Sequence, residues 1–541
     1  MNEVVNFRVA SNEEQLLKFY DFMIRKLHGS AHKSSLVEQL LKIHKGRKDL
    51  LSAFYLEESS RNAIIATALV ERSKAYYKEA DRSQAISSIP NPNTIGLQNA
   101  TTLVLSGVIE DENKKGTSRA LIEKVLETVE NQIIEEELEK SDDSKKDSFR
   151  NMTTTDGRFD KILATYYLSK KYFWVYYSAD DWFEYNAGFK RYPLGVFELP
   201  LSLAETLQLK YIREFLNTKK EDGNEIAPNK TIHFLRASRE KDQETIKSIL
   251  LFKEMEILGD LNRNLFHPEL SSGRRSSSSL TNMTNVLQMS KIGSFSEMSA
   301  VPEAMPTTET PTNRRRLSVL KVMVPKIGMK PDYSTFEENT ILEKEKAKSH
   351  MNNPDFEEVK EFTDIQGILL TNQLQNKTYY IVWSTLREGG FYAYSMGEMP
   401  YATTESSFER ANGSRSPSRR TSASLMNQLG GYNFKDLDIL FLTACEVGKK
   451  RKLATKLHVA VNDMPPEYPM SVLHDYFINY LPNTHEDHYS SQDPNEEKKG
   501  SKILYVEDPR MASVSPSIRR FGISSSNFDL DWVAIGMWTV K

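Results

Sequence analysis

The stretch that decides the fold is Leu103-Val-Leu-Ser-Gly-Val-Ile-Glu-Asp-Glu-Asn-Lys-Lys-Gly-Thr-Ser-Arg-Ala-Leu121. Its first part is strongly apolar, which predicts a buried β-strand over Thr102–Ile109. A polar loop follows, and a long helix is predicted from about Thr117 to Leu138 because apolar side chains then recur at helical spacing. The spaced positions are Leu121, Val125, Leu126, Val129, Ile133 and Leu138. A strand, a short loop and a helix in direct succession indicate a mixed α/β sheet.

The loop before this helix has the composition of an anion-binding site. The first N–H groups of a helix lack partners within it, and the helix dipole adds positive charge at that end. Gly116 allows close approach to the backbone, and Lys114, Lys115 and Arg119 add positive charge. Most strand–loop–helix connections with one glycine are only turns, so the loop taken alone leaves that alternative open.

The rest of residues 1–215 alternates in the same way. Two predicted helices each begin with a capping box, Ser11 with Glu14 and Ser35 with Glu38, and a short helix is predicted at Asp180–Asn186. The other predicted strands are Val4–Ala10, Leu50–Leu56, Ala63–Glu71, Tyr172–Tyr177 and Val196–Leu199. This alternation predicts an α/β fold, a mixed sheet with flanking helices.

A second folded region is predicted in the C-terminal half. Its strands are expected at Gly367–Thr371, Thr378–Thr385, Phe391–Met396, Leu457–Val461, Ile503–Val506 and Trp532–Val540, and its helices at Phe434–Lys449 and Met470–Tyr480. The order strand–helix–strand–helix–strand occurs in both halves. We therefore expect a second α/β lobe similar to the first.

Three stretches differ in composition from these folded regions. Ser271–Arg316, Thr403–Ser424 and Asn483–Lys502 are rich in small polar residues and poor in aromatic ones, which predicts disordered inserts because little apolar surface can be buried. The expected division is a first α/β domain (1–215), a helical connector (216–267), a Ser-rich insert (268–330), the first part of the second lobe (331–402), a second insert (403–428) and the rest of that lobe (429–541).

Composition narrows the function classes. The 541 residues carry a formal net charge of −3, which predicts no general attraction to nucleic acid or anionic membranes. An apolar run of about 18 residues, as a membrane helix needs, is absent from the sequence, and the first residues lack the pattern of a signal peptide. Cys445 is the single cysteine, which excludes an internal disulfide and a cysteine-rich zinc site. We expect a soluble cytoplasmic protein.

The loop residues carry a resemblance to a known family. Val108, Asn113, Gly116 and Ser118 fall on the acetyl-CoA signature of the GNAT superfamily, a strand valine followed by Arg/Gln-x-x-Gly-x-Gly/Ala and a helix. Asn113 and Ser118 depart from that pattern. The resemblance implies a GNAT-like sheet in both lobes and acetyl-CoA as co-substrate, without a metal. The residues it implies as contacts of acetyl-CoA are Val108, Ile109, Asn113, Lys114, Lys115, Gly116, Thr117 and Ser118.

Other segments extend this resemblance. Tyr172–Ser178 followed by a short helix and Asn186-Ala187-Gly188-Phe189 is similar to the second half of the GNAT signature. The C-terminal half resembles the fungal lysine N6-acetyltransferase family. The segments that carry this likeness are Leu440–Val461, Pro516–Ile518, Leu530–Trp532 and Trp538–Lys541. This second resemblance implies a small amine substrate, with free lysine as the acceptor.

The GNAT resemblance also implies a mechanism without a protein nucleophile. Two central strands separate, CoA lies between them, and the backbone N–H groups of Val108 or Ile109 polarise the thioester carbonyl. A neutral amine attacks, and a tyrosine protonates the leaving thiolate. The family position of that tyrosine is Glu184 here, which leaves Tyr177 and Tyr185 as candidates, or as simple core aromatics.

Carboxylates on the predicted short helix are candidates for holding a cationic substrate. Asp180 and Glu184 are four residues apart and share a helix face, with Asp181 beside them. The alternative is that acidic residues in the first turn only stabilise the helix dipole. His458 lies on a predicted strand and is expected to face solvent or a polar interior rather than act in catalysis.

Three sites of the pattern Arg-Arg-x-Ser lie in the polar inserts or beside them. Their serines are Ser277, Ser318 and Ser422, and the pattern resembles the recognition sequence of basophilic protein kinases. Two functions from different classes remain in view. The first is an acetyl-CoA-dependent amine N-acetyltransferase. The second is a degenerate GNAT-fold protein that lacks catalysis and serves as a phospho-regulated scaffold, which the departures at Asn113, Ser118 and Glu184 favour.

Overall fold

The computed structural model describes residues 5–28, 34–79, 97–139, 161–177, 180–203, 224–227, 230–262, 324–348, 356–373, 375–385, 390–399, 434–452, 454–464, 468–481, 503–506, 515–525, 528–536 and 539. The first elements are β1 (Val5–Val9), α1 (Glu13–His28), α2 (Ser34–Gly46), β2 (Leu51–Glu58), β3 (Ala63–Lys78), β4 (Leu97–Glu110), α3 (Thr117–Glu139), α4 (Lys161–Leu168), β5 (Tyr172–Tyr177), α5 (Trp182–Tyr185), β6 (Lys190–Arg191) and β7 (Val196–Pro200).

The later elements are β8 (Asn224–Ala227), β9 (Lys230–Arg236), α6 (Glu240–Asn262), β10 (Lys326–Met329), α7 (Tyr333–Lys348), α8 (Phe356–Asp364), β11 (Ile365–Asn372), β12 (Lys377–Thr385), β13 (Phe391–Met399), α9 (Lys435–Arg451), β14 (Lys456–Ala460), α10 (Met470–Asp475), β15 (Leu504–Val506), β16 (Pro516–Arg520) and β17 (Asp531–Trp532). A 3-10 turn, Val461–Asp463, follows β14, and a π-helical turn, Tyr476–Tyr480, continues α10. The predicted inserts Ser271–Arg316, Thr403–Ser424 and Asn483–Lys502 lie outside the described residues.

The first sheet has the order β1-β2-β3-β4-β5-β16-β6, and β10 pairs with the far end of β3 and with β17. Strands β1 to β4 are antiparallel neighbours, whereas β4 and β5 are parallel and α3 connects them. A parallel pair needs such a crossover because the chain must return to the starting edge of the sheet. The predicted mixed sheet with flanking helices is confirmed.

The second sheet has the order β15-β7-β14-β13-β12-β11-β9-β8. Its neighbours are antiparallel except for β13 and β14, which are parallel and are connected by α9. Each sheet therefore contains one parallel pair of central strands joined by a long helix. The predicted second α/β lobe is confirmed.

The two sheets exchange strands that are distant in sequence. The predicted strand Val196–Leu199 was placed with the first sheet, but β7 pairs with β14 and β15 of the second. Conversely, β16 near the C-terminus pairs with β5 in the first sheet. In residues 216–267, expected to be helical, the first described elements are strands β8 and β9. Apolar runs show burial but not the partner strand, so the sequence could not assign these pairings.

In the described part of the chain, four apolar clusters form the core. One lies between α3 and the first sheet. The buried face of α3 contains the predicted residues except Leu138, which is only partly buried, and it also contains Ile122 and Ile134. On the other face of that sheet, α1 and α2 cover one end. The other end is covered by a cluster to which the second sheet, α6 and β10 also contribute. The fourth cluster lies within the second lobe around α9.

The cap of α1 differs from the prediction. The helix begins at Glu13, so Asn12 is the capping residue, and its Oδ1 accepts a hydrogen bond of 2.9 Å from the Gln15 N–H. The Gln15 side chain in turn accepts from the Ser11 N–H at 2.9 Å. The predicted box of Ser11 with Glu14 is therefore displaced by one residue, because Asn caps as well as Ser does.

Candidate functional site

The central parallel strands of the first sheet separate at one end. The last paired residues of β4 and β5 are Leu105 and Tyr176, but β4 continues to Glu110 while β5 ends at Tyr177. Among the described residues, this extension of β4 pairs with β3 on one side and with no strand on the other. A gap between two central strands, as the GNAT resemblance implies, therefore opens at Ser106.

A β-bulge lies at the start of this gap. Thr67 pairs with Ile109 and Leu69 pairs with Ser106, so that Gly107 and Val108 together face one residue of β3. Gly107 has φ +59°, and a Cβ there would lie 2.9 Å from the Cε atom of Met23. The positive φ at this position favours glycine. A bulge re-aims the strand that carries it, which turns β4 away from β5 toward the following loop.

The loop after β4 leads to the N-terminus of α3. Gly116 has φ +86° and open space where a Cβ would stand, as a close approach to its backbone requires. Thr117 Oγ1 donates to the Lys114 carbonyl at 2.8 Å, and Asn113 N–H donates to Asp111 Oδ1 at 3.0 Å. The Asn113 N–H and then Lys26 lower the pKa of Asp111. The predicted residues 113–118 therefore span the end of the loop and the first residues of α3.

A carboxylate of the protein already occupies this helix end. Glu110 Oε2 accepts hydrogen bonds from Gly116 N–H at 2.9 Å, from Ser118 N–H at 3.1 Å and from Ser118 Oγ at 2.9 Å. The donors that the sequence assigned to a phosphate group are thus satisfied within the chain. Sequence analysis missed Glu110, although its position between the buried strand and the loop was visible.

The basic side chains around the loop also have acidic neighbours. Lys114 Nζ lies 3.5 Å from Glu58 Oε1, and Lys26 Nζ lies 3.2 Å from Asp111 Oδ2. These contacts lower the net positive charge that the loop presents to an anion.

The carboxylates in α5 and just before it contact arginines. Arg119 lies 3.2 Å from Asp180, Arg191 lies 2.7 Å from Asp181, and Arg191 Nε lies 3.9 Å from Glu184. Asp180 Oδ1 also accepts from the Trp182 N–H at 2.9 Å in the first turn of α5. These contacts favour the helix-stabilising alternative over cation binding for Asp180 and Glu184.

The two candidate tyrosines lie in different surroundings. Tyr177 ends β5 at the gap, and its hydroxyl is fully buried beside Thr539. Burial raises the pKa of Tyr177 well above its usual value, so this side chain stays protonated. Tyr185 is 72% exposed at the end of α5. A buried proton donor at the gap is therefore available only from Tyr177 of this pair.

Additional polar groups lie on the sheet face opposite α3. Val104 and Val175 belong to the core between the sheets, and alternation places Ser106 and Tyr177 on that same face. Glu71 lies opposite Val104 and is 1% exposed. The hydroxyl of Ser106 is buried and makes no hydrogen bond with a described residue. Glu71 interrupts an apolar strand pattern, which was the sequence signal for it.

The second lobe and α2 contribute to this polar face. Arg47 donates to Glu71 Oε1 at 2.9 Å and to Glu338 Oε2 at 2.8 Å. Burial, followed by the charges of Asp332 and Glu71, raises the pKa of Tyr394 in β13. Carboxylates therefore lie close to the buried face of the gap.

Other predicted residues lie away from this gap or outside the described part. His458 stacks on Tyr392 in the second sheet, with ring centroids 4.7 Å apart, and burial lowers its pKa. The serines Ser277, Ser318 and Ser422 lie outside the described residues.

Within the described ranges there is no group of three or more His, Cys, Asp or Glu residues arranged to hold a metal. In the same ranges, the helices are too short or too polar to cross a bilayer.

Three solved structures show the range of similarity to known proteins. A conserved Enterococcus faecalis protein described as a probable N-acyltransferase has 6% identity and a TM-score of 0.34, with 96% of this chain and 73% of that chain covered. A GCN5-related N-acetyltransferase from Kribbella flavida has 9% identity and a TM-score of 0.32, with 95% and 71% covered. Saccharomyces cerevisiae N-myristoyltransferase has 8% identity and a TM-score of 0.31, with 84% and 73% covered. No protein-family model matches the sequence, and neither does any curated protein.

Proposed function

We propose that this chain is a GNAT-type acyltransferase that moves an acetyl group from acetyl-CoA to a primary amine. The observation that carries the proposal is the path of β4. It leaves β5 after Leu105, bulges at Gly107 and leads directly to the N-terminus of α3. A gap between central strands beside a helix N-terminus offers a slot for an extended thioester and a site for its diphosphate.

The donor would lie along the edge of β4 that pairs with no described strand. Its diphosphate would bind the N–H groups of Gly116, Thr117 and Ser118, next to Asn113 and the side chains of Lys114 and Lys115. The thioester carbonyl would face the backbone N–H of Val108 or Ile109, which stabilises negative charge on the carbonyl oxygen. This arrangement requires Glu110 to leave the helix end when the diphosphate enters.

The amine would reach the thioester from the face that carries Glu71 and Tyr177. Its nitrogen forms a bond to the carbonyl carbon, the carbon–sulfur bond breaks, and the thiolate takes the proton of the Tyr177 hydroxyl. The proton lost by the amine passes to a carboxylate, for which buried Glu71 is the candidate, through water. Glu184 and Tyr185 are less suited because both are open to solvent on α5, the Glu184 side chain being 32% exposed and Tyr185 72% exposed.

The acceptor is proposed to be a small cationic amine, with free lysine first because the C-terminal half resembles the fungal lysine N6-acetyltransferases. The carboxylates of Glu71, Glu338 and Asp332 lie around the Arg47 guanidinium close to this face, and a cationic amine would be attracted to them. A cytoplasmic location and modification of Ser277, Ser318 and Ser422 by a basophilic kinase belong to the same proposal.

A degenerate fold without catalysis is the second candidate. The Glu110 contacts favour it, because a helix end that is permanently satisfied by a carboxylate would not take a diphosphate. In that case the chain would serve as a phosphorylated scaffold.

Calorimetry with acetyl-CoA separates the two candidates. The acyltransferase should bind acetyl-CoA with micromolar affinity and should release free CoA thiol when lysine is added. A lysine-containing peptide serves as the alternative acceptor. Absence of binding at millimolar acetyl-CoA, both by this chain and by a variant that lacks the Glu110 carboxylate, would support the scaffold. Turnover of the peptide alone would reject the small-molecule acceptor.

A further inference from the structure

Glu110 stands out because one carboxylate oxygen accepts from three donors at the N-terminus of α3. The distances are 2.9 Å, 3.1 Å and 2.9 Å, all within the normal range for hydrogen bonds. The acceptor is anionic, the donors include two backbone N–H groups, and the helix dipole favours a negative charge at this point. In charge and hydrogen bonding the carboxylate therefore reproduces one oxygen of a bound phosphate.

The position of Glu110 allows this contact to open. It is the last residue of β4, its side chain is only partly buried, and the loop between Glu110 and Gly116 contains the exposed residues Glu112, Asn113 and Lys115. Rotation of one side chain frees the donors without breaking a strand pair, because the β3–β4 register involves the Glu110 backbone alone. The closed and open arrangements thus share the same fold.

We propose that Glu110 is a built-in competitor of the diphosphate group, so that the donor site closes on its own carboxylate when acyl-CoA is absent. This inference rests on the proposed function and concerns the regulation of the same site. The carboxylate and the diphosphate bind the same N–H groups and repel each other, so each ligand molecule must displace Glu110. The apparent affinity for acyl-CoA is lowered by the free energy of the closed contact.

The test compares Glu110→Gln and Glu110→Ala with the parent chain in calorimetry with acetyl-CoA. Gln keeps the shape and an acceptor oxygen but removes the charge, so its binding should tighten about fivefold, from one charge–dipole contact of typical strength. Ala removes the competitor entirely and should bind at least as tightly as Gln. Glu112→Gln is the matched control, since it removes the same charge from an exposed position of the same loop.

S-acetylpantetheine, which lacks the phosphates, provides a second arm. Its affinity should be the same for the parent and for Glu110→Gln, because only the diphosphate competes with the carboxylate. Circular dichroism checks that each variant is folded, and if Glu110→Ala loses structure, the isosteric Gln variant decides alone.

The outcomes separate the inference from the proposed function. Tighter binding by Glu110→Gln but not by Glu112→Gln supports the competitor, also when the parent shows no detectable binding. Binding by the parent that equals or exceeds that of Glu110→Gln overturns the competitor and leaves the acyltransferase intact, with Glu110 as a helix cap only. If neither the parent nor the variants bind acetyl-CoA, both proposals are rejected.

Discussion

The guanidinium of Arg119 lies 3.2 Å from the carboxylate of Asp180, which joins the first turn of α3 to the start of α5. The guanidinium carbon of Arg119 also lies 5.8 Å from the centre of the Trp182 ring. The two side chains of the ion pair are 49% and 38% exposed, so solvent screens the contact. Asp180 therefore forms a solvent-screened contact with the first turn of α3 instead of presenting an unpaired charge to a substrate.

Replacing Asp180 with Asn and Glu184 with Gln should leave the KM for lysine unchanged within about twofold, because arginines already neutralise both carboxylates. The free energy of unfolding should fall by at most about 1 kcal/mol, as for other exposed ion pairs. Steady-state kinetics and urea unfolding measure the two effects. A KM that rose more than about tenfold at constant kcat would show that these carboxylates bind the substrate.

Gly116→Val should weaken acetyl-CoA binding about tenfold or more while the fold is retained. A side chain at φ +86° is strained by about 1–3 kcal/mol, so the loop must shift away from the position that presents its N–H groups. Gly46→Val is the matched control, since Gly46 also has open space around its Cβ position but no positive φ. If the parent and Gly116→Val bound acetyl-CoA with equal affinity, the loop would not be part of the donor site.

The local part of this site was predictable from the sequence. The apolar run of β4, the glycine of the loop and the helical spacing of Leu121, Val125 and Val129 all lie within thirty residues, and each follows from short-range periodicity. The pairing of the strands was not predictable. Tyr176 faces Ser517 and Val196 faces Ala460, and such long-range partners leave no periodic signal in one sequence.

The roles of the charged residues were also beyond the sequence. Asp180 and Glu110 look equally available in the printed chain, but the fold brings Arg119 to the first and the amides of α3 to the second. Whether a carboxylate is paired depends on which side chains the tertiary structure places within hydrogen-bond distance, and neither spacing nor composition reports that. Glu71 was the exception in having a local signal, a charge within a buried strand.

Asp438 in α9 should make stability depend on pH. Burial raises its pKa to about 6 from 3.8, partly offset by the hydrogen bond that the Tyr476 hydroxyl donates to it at 2.8 Å. The folded protein therefore binds this proton more tightly than the unfolded chain does, so the contribution of Asp438 to stability falls as pH rises from about 4 through 6.

Asp438→Asn keeps an acceptor for Tyr476 and removes the buried charge. It should be more stable than the parent at pH 7.5, by up to about 3 kcal/mol, and the difference should largely disappear by pH 4. Urea unfolding of both proteins at the two pH values measures the difference in the free energy of unfolding. The contributions of the other titrating groups cancel in this difference because both proteins contain them. A variant that is less stable at pH 7.5 would show that the charged form is favoured in the fold.

Tyr177→Phe should lower kcat about a hundredfold with little change in the KM for lysine, because a general acid acts on the leaving thiolate and not on bound substrate. Burial holds the pKa of Tyr177 above its usual value, so the hydroxyl remains protonated throughout the usable pH range. The rate of the parent should therefore rise with pH as the amine loses its proton, and deprotonation of Tyr177 should cause no fall in the rate at alkaline pH.

Tyr185→Phe, at an exposed position, is the control and should retain the kcat of the parent. Initial rates of both variants from pH 6 to pH 9.5, followed by release of the CoA thiol, decide the matter: equal kcat values for the two phenylalanine variants would exclude Tyr177 as the proton donor.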